Sequence, residues 1–233
     1  MRKRYKSFSL EEADVIVALG GDGFLLSVLH QHFQHHTPIF GLNRGTVGFL
    51  MNEYSSENLM ERLADAQLSL ISPLVMTATD VYGHQQTSMA FNEVSVFREK
   101  RQAAHVSLTV DGQERMDQLI CDGVLLATPA GSTAYNLSAN GPVIPLDAGL
   151  LALTPISAFR PRRWKGALLP STCSVSMKNL DPSKRPISAT SDFVEVREVE
   201  CLDVVCDPSV RVPLLFDPHS SLDERMLREQ FLQ

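Results

Sequence analysis

The chain is predicted to open on a parallel α/β unit and to continue into a second, β-rich domain. Three observations lead there. Residues 13–29 read as an apolar β-branched run (Val15, Ile16, Val17), a glycine turn (Gly20-Gly21-Asp22-Gly23), and then Phe24, Leu25, Val28 and Leu29 at helical spacing. That is the pattern of a strand covered on both faces that breaks into a turn and opens a helix. Residues 38–42 form a second short apolar run where a right-handed crossover would set the next parallel strand, and it also ends in a glycine-containing loop, residues 43–49. From about Leu70 the texture changes to short alternating runs separated by Gly, Pro, Asn and Asp, as in an all-β domain.

Composition narrows the class. The 233 residues are 44% hydrophobic, enough for a sizeable core, and carry a net charge of -6, which argues against nucleic acid as the main partner. No run approaches the roughly 18 apolar residues of a membrane span, and the basic N-terminal stretch has no apolar signal core. A cytoplasmic protein with no membrane partner is expected. Cys121, Cys173, Cys201 and Cys206 are scattered without a Cys-x-x-Cys pair and read as reduced structural thiols.

Along the chain, residues 24–33 are predicted as the first helix, closed by Thr37-Pro38. His32 and His36 have the spacing of a metal pair on a helix but no acidic or thiol partner beside them, so a polar helix end is the preferred reading. Residues 56–68, with Leu59, Met60, Leu63 and Ala66 on one face, form an amphipathic helix expected to end the α/β portion. Val110-Asp111-Gly112-Gln113 is a hairpin turn by the Asp-Gly rule. At the C-terminus Leu222, Met226, Leu227 and Phe231 predict a docking helix. The expected divisions are 1–69 for the α/β domain, 70–215 for the β-rich domain and 216–233 for the helical tail.

Three stretches are candidates for chemistry. Asp22 stands alone inside a glycine turn at a helix start, where N–H groups favour phosphate; it either caps the helix or accepts a proton or meets a metal ion. Arg44, in the second loop leaving the same sheet edge, is a candidate phosphate contact or an exposed loop arginine. Asn92-Glu93 falls within the otherwise apolar run 89–97 and could read a ribose or an amino group, or be a polar pair on an edge strand. Residues 122–142 join a buried strand to a loop dense in small residues, in which Ser132, Thr133, Ser138 and Tyr135 offer the hydroxyls and aromatic face expected around a nucleotide.

Together, Gly20-Gly21-Asp22-Gly23, Asn43 to Leu50, Asn92-Glu93, Asp122-Gly123 and Thr128 to Tyr135 closely resemble the NAD kinase family in order and spacing. The resemblance runs from about Glu11 to beyond Pro170. It implies a Rossmann-like N-terminal domain, a β-sandwich-like C-terminal domain, and phosphoryl transfer from ATP, or in some members polyphosphate, to the adenosine 2′-hydroxyl of NAD. It also implies a divalent ion, usually magnesium, and assembly as a homodimer or homotetramer. By the family's motifs, Asp22 matches the catalytic aspartate and Gly23 its neighbour in the substrate site. Asn92 and Glu93 match the adenosine ribose pair, and Asp122 the acid on the nicotinamide side. Thr133, Ala134, Tyr135 and Ser138 match the substrate loop, and Phe49 a wall near the adenine. Ala130 and Asn140 stand where many members have threonine and glycine. By the same resemblance, residues 157–164, Ser-Ala-Phe-Arg-Pro-Arg-Arg-Trp, stand in place of a histidine-containing stretch, and the family's usual opening βα unit is expected to be absent from this chain. The alternatives are a lipid kinase sharing the glycine turn, or a dinucleotide-binding protein that does not turn over.

Overall fold

The computed structural model describes residues 4–45 and 48–218, and the chain divides into two compact units: Met1–Ile71 with the chain from Ser209 on, and Ser72–Pro208.

The first unit starts with strand β1 (Ile16–Gly20), helix α1 (Asp22–His32) and strand β2 (Ile39–Asn43), the two strands pairing in parallel from Ile16↔Ile39 to Gly20↔Asn43. Between them α1 buries Leu25, Val28 and Leu29 as the helical spacing requires, with Leu26 joining that face while Phe24 is left 50% exposed. The strand expected to be covered on both faces is instead β2, where Ile39, Phe40 and Leu42 are buried; β1 is the last strand of its sheet and leaves Leu19 40% exposed. A two-residue β3 (Asn52–Glu53) pairs with β2, and α2 (Leu59–Ala64) follows. That helix is shorter than the periodicity of 56–68 suggested. Its first cap, Asn58, is left-handed, and the sequence after Asp65 is drawn into strand β4 (Gln67–Ile71).

The second unit contains β5 (Leu74–Asp80), β6 (Gln85–Ala90), β7 (Glu93–Arg98), β8 (Ala104–Val110), β9 (Gln113–Cys121), β10 (Gly123–Ala127), β11 (Leu150–Ile156), β12 (Ala167–Pro170), β13 (Val175–Asn179), β14 (Ile187–Ser191), β15 (Val194–Val196) and β16 (Val199–Cys206). They form two six-stranded sheets, β6-β5-β16-β13-β8-β9 and β12-β11-β10-β7-β14-β15. Met76, Leu108, Met177 and Leu202 from the first meet Val94, Val96, Val124 and Leu126 from the second in one core, so this is a β-sandwich. The predicted hairpin forms with Val110 opposite Gln113, and Asp111 and Gly112 both take positive φ, 50° and 73°.

Strand β10 is buried along its whole length because its other face is also covered. Leu125 and Ala127 pack with Ile144 and Ala152 under Tyr135 and Ala139 of the loop that follows. That loop holds a 3-10 turn (Ala130–Thr133) and the short helix α3 (Tyr135–Ser138). Its polar interior is closed by Asn136, whose amide donates to the Ser132 and Pro142 carbonyls, 3.1 and 2.8 Å, and accepts from the Thr154 hydroxyl, 2.6 Å. Asn140, at φ 61°, takes the left-handed conformation glycine favours and asparagine tolerates.

The chain then returns to the first unit. Strand β17 (Val212–Phe216) pairs antiparallel with β4 and, at Leu214↔Ile39, parallel with β2. The expectations that the α/β portion ends near Leu68 and that residues through 215 belong to the β-rich domain are therefore corrected: a sequence distant in the chain supplies a strand to the first sheet. The predicted tail helix with Leu222, Met226, Leu227 and Phe231 lies outside the described residues.

Asn52 fastens this returning strand. Fully buried, it donates to the carbonyls of Gly41 (3.1 Å) and Leu215 (2.9 Å) and accepts the Asp217 N–H at 2.9 Å. Arg62 adds a bidentate pair to the Asp217 carboxylate, 3.0 and 2.6 Å. Asn52→Leu strands three backbone groups and is expected to lower unfolding free energy by about 2–4 kcal/mol. Chemical denaturation measures this, and an unchanged midpoint would refute the fastening role.

Candidate active site

In the first unit, the turn after β1 places Gly21 at the N-cap of α1, its carbonyl accepting from the N–H groups of Phe24 and Leu25, both at 3.0 Å. Asp22 is therefore the first helical residue and not the cap. Its carboxylate accepts the N–H of Phe49 at 2.7 Å and of Leu50 at 3.1 Å. The Arg44 N–H, in turn, donates to the Gly20 carbonyl at 2.7 Å. The two loops that leave the ends of the parallel strands are thus bonded to each other, as their shared sheet edge implied. Apart from its chain neighbours and its own helix, a Cβ at Gly21 or Gly23 would meet no atom of the described residues within 4 Å, which leaves the backbone there approachable. Exposed Arg44 lays its guanidinium over the Tyr54 ring, 4.4 Å from the centroid. Thr46 and Val47 lie outside the described residues.

His32 and His36 do not share a helical face. The helix ends at His32, a 3-10 turn follows, and His36 has φ 54°. Among the described residues no group of three or more His, Cys, Asp or Glu is placed to hold a metal ion.

In the second unit, Asn92-Glu93 is not the interior of a single strand. Strand β6 ends at Ala90 in one sheet and β7 begins at Glu93 in the other, so Phe91 and Asn92 form the corner where the chain crosses the sandwich. An apolar run can hide such a break because both strands bury the same residue types. The corner is held from two sides. The Asp192 carboxylate accepts the N–H groups of Phe91, Asn92 and Glu93 at 2.6, 3.1 and 3.3 Å. Thr128 donates its hydroxyl to the Phe91 carbonyl (2.6 Å) and its N–H to the Asn92 carbonyl (2.9 Å). Gly131 lies so close that a Cβ would come within 2.1 Å of the Asn92 carbonyl oxygen.

The side chains at this corner remain available. Asn92 Oδ1 and Glu93 Oε2 are buried with no hydrogen-bond partner among the described residues. Burial, with the neighbouring Asp192 charge adding to it, pushes the Glu93 carboxyl up to about 7. Asp122 occupies the matching crossing between β9 and β10, ion-paired with Arg98 at the far end of β7. Arg98 lies five residue steps along β7 from Glu93, roughly 17 Å of strand. Tyr135 packs on Phe97 with ring centroids 5.7 Å apart, and its phenol is raised by burial, then by Glu93 and Asp122. Of the loop hydroxyls, Ser132 and Thr133 are buried and turned inward, to the carbonyls of Pro129 (2.7 Å) and Ala130 (3.4 Å), whereas Ser138 is exposed; the neighbouring Ala134 is half-buried.

Comparison with known proteins identifies the family. The ATP-NAD kinase N-terminal domain matches residues 1–68 and the ATP-NAD kinase C-terminal domain residues 91–165. The chain belongs to the NAD kinase family. An NAD kinase of Caulobacter vibrioides is 54% identical over 228 residues, 98% of this chain and 88% of its own. Another, of Hyphomonas neptunium, is 52% identical over 231 residues, 99% of this chain and 91% of its own. Among solved structures, an NAD kinase from Archaeoglobus fulgidus in complex with ATP superposes with a TM-score of 0.73 at 29% identity, covering 95% of this chain and 83% of that one. Yeast NADH kinase complexed with NADH shares the fold, with a TM-score of 0.80 at 21% identity over 93% of this chain and 65% of that one. The protein is an enzyme that phosphorylates NAD with ATP as donor, and nothing in the comparisons favours a lipid kinase or a non-catalytic binding protein.

Sequence reasoning missed Asp192 and the part played by Thr128 and Asn136. The signal for Asp192 was weak: an aspartate before Phe193 at a turn between two short runs. Its target lies about a hundred residues earlier in the chain.

The Glu93 environment has a measurable consequence. Between an ordinary carboxyl value of 4.5 and about 7 the folded protein holds a proton the unfolded chain has released, so stability falls as pH rises through that window. Glu93→Gln removes this term. Relative to wild type, the ligand-free variant should gain about 1–3 kcal/mol between pH ~5 and pH ~8. Urea midpoints at both pH values measure it, and an identical pH dependence in the two proteins would contradict the assigned environment.

Proposed function

We propose that Asp22 is the general base of the NAD kinase reaction and that Asn92 and Glu93 bind the adenosine ribose of NAD. The observation that carries this reading is the pair of buried, unpartnered oxygens on Asn92 and Glu93, since buried acceptors are otherwise matched by donors and the ribose hydroxyls are donors of the right kind. In the reaction the 2′-oxygen attacks the γ-phosphorus of ATP, the bond to the bridging oxygen breaks, ADP leaves, and the hydroxyl proton passes to the Asp22 carboxylate. A carboxylate has about four acceptor positions, so anchoring the Phe49 and Leu50 amides is compatible with meeting that proton.

Asp122, at the other end of β7 from Glu93, is assigned to the nicotinamide side. The strand length between them supports one extended dinucleotide. Tyr135 lies over that strand as an aromatic surface, and Ala134, Thr133 and Ser138 complete the substrate loop, Thr133 through its backbone because its hydroxyl is turned inward. Phe49 lines the adenine, Gly23 leaves room for the substrate, and Arg44 contacts phosphate. A magnesium ion brought in with ATP would neutralise phosphate charge during the transfer. Polyphosphate is a second donor to assay in parallel with ATP. A homodimer or homotetramer is supported by exposed Phe159, Leu168 and Phe193. The four free thiols support a cytoplasmic setting, and no helix among the described residues is long and apolar enough to cross a membrane.

Asp22→Asn keeps the side-chain shape and one acceptor oxygen but cannot take the proton. It is expected to lower kcat by roughly 10²–10⁴ while KM for NAD stays within a few-fold. Following NADP formation from NAD, ATP and magnesium tests this, and near-normal turnover would remove the general-base role.

A further inference from the structure

All six backbone polar groups of Phe91, Asn92 and Glu93 are bonded. Asp192 takes the three N–H groups and returns its own N–H to the Glu93 carbonyl at 3.3 Å, while Thr128 donates to the carbonyls of Phe91 and Asn92. Asp192 reaches this corner from the turn between β14 and β15, where Ser191 pairs with Val194 and Asp192 itself has φ 47°. The strand before that turn is tied to β6 by the Ser191 and Ser88 hydroxyls, 2.7 Å apart. One carboxylate therefore fixes three consecutive peptide units, and the buried oxygens of Asn92 and Glu93 are left as the corner's recognition groups.

We propose that Asp192 is a positioning residue for NAD: it presets the Phe91–Glu93 backbone so that the Asn92 and Glu93 side chains meet the ribose without rearrangement. The proposal rests on the assignment of those two side chains to the ribose. Presetting a polar pair before binding spares the substrate the cost of ordering it. Asp192 also acts through charge. The groups that bear on Glu93 are Asp192 from the β14–β15 turn and Tyr135 from α3, with the Arg98–Asp122 pair beyond Tyr135 at the other end of β7. Asp192 is the carboxylate among them that raises Glu93, so removing its charge lowers the pH at which Glu93 ionises.

The test compares Asp192→Asn and Asn92→Ala with wild type in steady-state kinetics across pH. Asp192→Asn is expected to raise KM for NAD about 10- to 100-fold, leave KM for ATP within about two-fold, and move the near-neutral inflection in kcat/KM for NAD to lower pH. A merely structural role would lower stability without raising KM for NAD selectively over KM for ATP, whereas the inflection follows the Asp192 charge alone. If Asn92→Ala weakens NAD binding but Asp192→Asn leaves KM for NAD unchanged, positioning by Asp192 is overturned and the ribose assignment stands. If Asn92→Ala leaves KM for NAD unchanged, the ribose assignment falls, and the proposal with it. Should Asp192→Asn not fold, amide hydrogen exchange on wild type decides. Protection of Phe91, Asn92 and Glu93 before NAD is added supports the preset corner, and fast exchange until NAD is added overturns it.

Discussion

At Phe91 and Asn92 the chain leaves one sheet of the sandwich for the other at a corner that is buried to half-buried, where unpaired peptide groups cost about 1–3 kcal/mol each. This constraint is met by partners from two distant segments, Asp192 and Thr128. Much of the second unit follows from it. The loop after β10 must approach closely enough for Thr128 to bond the corner, which is why the position facing the Asn92 carbonyl is glycine. The same loop then covers the outer face of β10, sealed by Asn136 and Thr154.

Satisfying the backbone leaves the side chains of Asn92 and Glu93 with buried oxygens and no partner. A protein that only needed to fold would do better with apolar residues there, because desolvating a carboxyl holds it protonated well above its usual range. The arrangement makes sense as a site that a ligand completes, and perturbed carboxyls of this kind concentrate at functional positions. The first unit uses a carboxylate differently. Asp22 sits at the start of α1 and bonds the amides of Phe49 and Leu50, so the loop after β2 is held against the glycine turn after β1. Gly21, not Asp22, holds the N-cap position, so the carboxylate does not serve as the helix cap.

The sequence by itself determined the local features whose physics is local. The β1–turn–α1 pattern, the parallel partner β2, the Asp111-Gly112 hairpin and the β-rich second unit all follow from periodicity and turn chemistry within a few residues. Family resemblance, carried by motifs that each occupy one short stretch, was equally legible. Strands lacking a bulky alternating pattern were not legible. Strand β14, Ile-Ser-Ala-Thr-Ser, gains its place from pairing with β7 and burial of Ile187 and Ala189, neither of which is encoded nearby.

Only the tertiary structure decided where the continuous run 89–97 breaks, that β17 closes the first sheet, and that His32 and His36 part company. In each case the deciding contacts join segments far apart in the chain or depend on a single backbone angle: Asp192 with the corner, Asn52 with Leu215 and Asp217, and φ 54° at His36. Residue type and spacing specify which side chains can do chemistry. Which of their atoms are left without a partner depends on every segment that folds against them, and that is fixed only when the core closes.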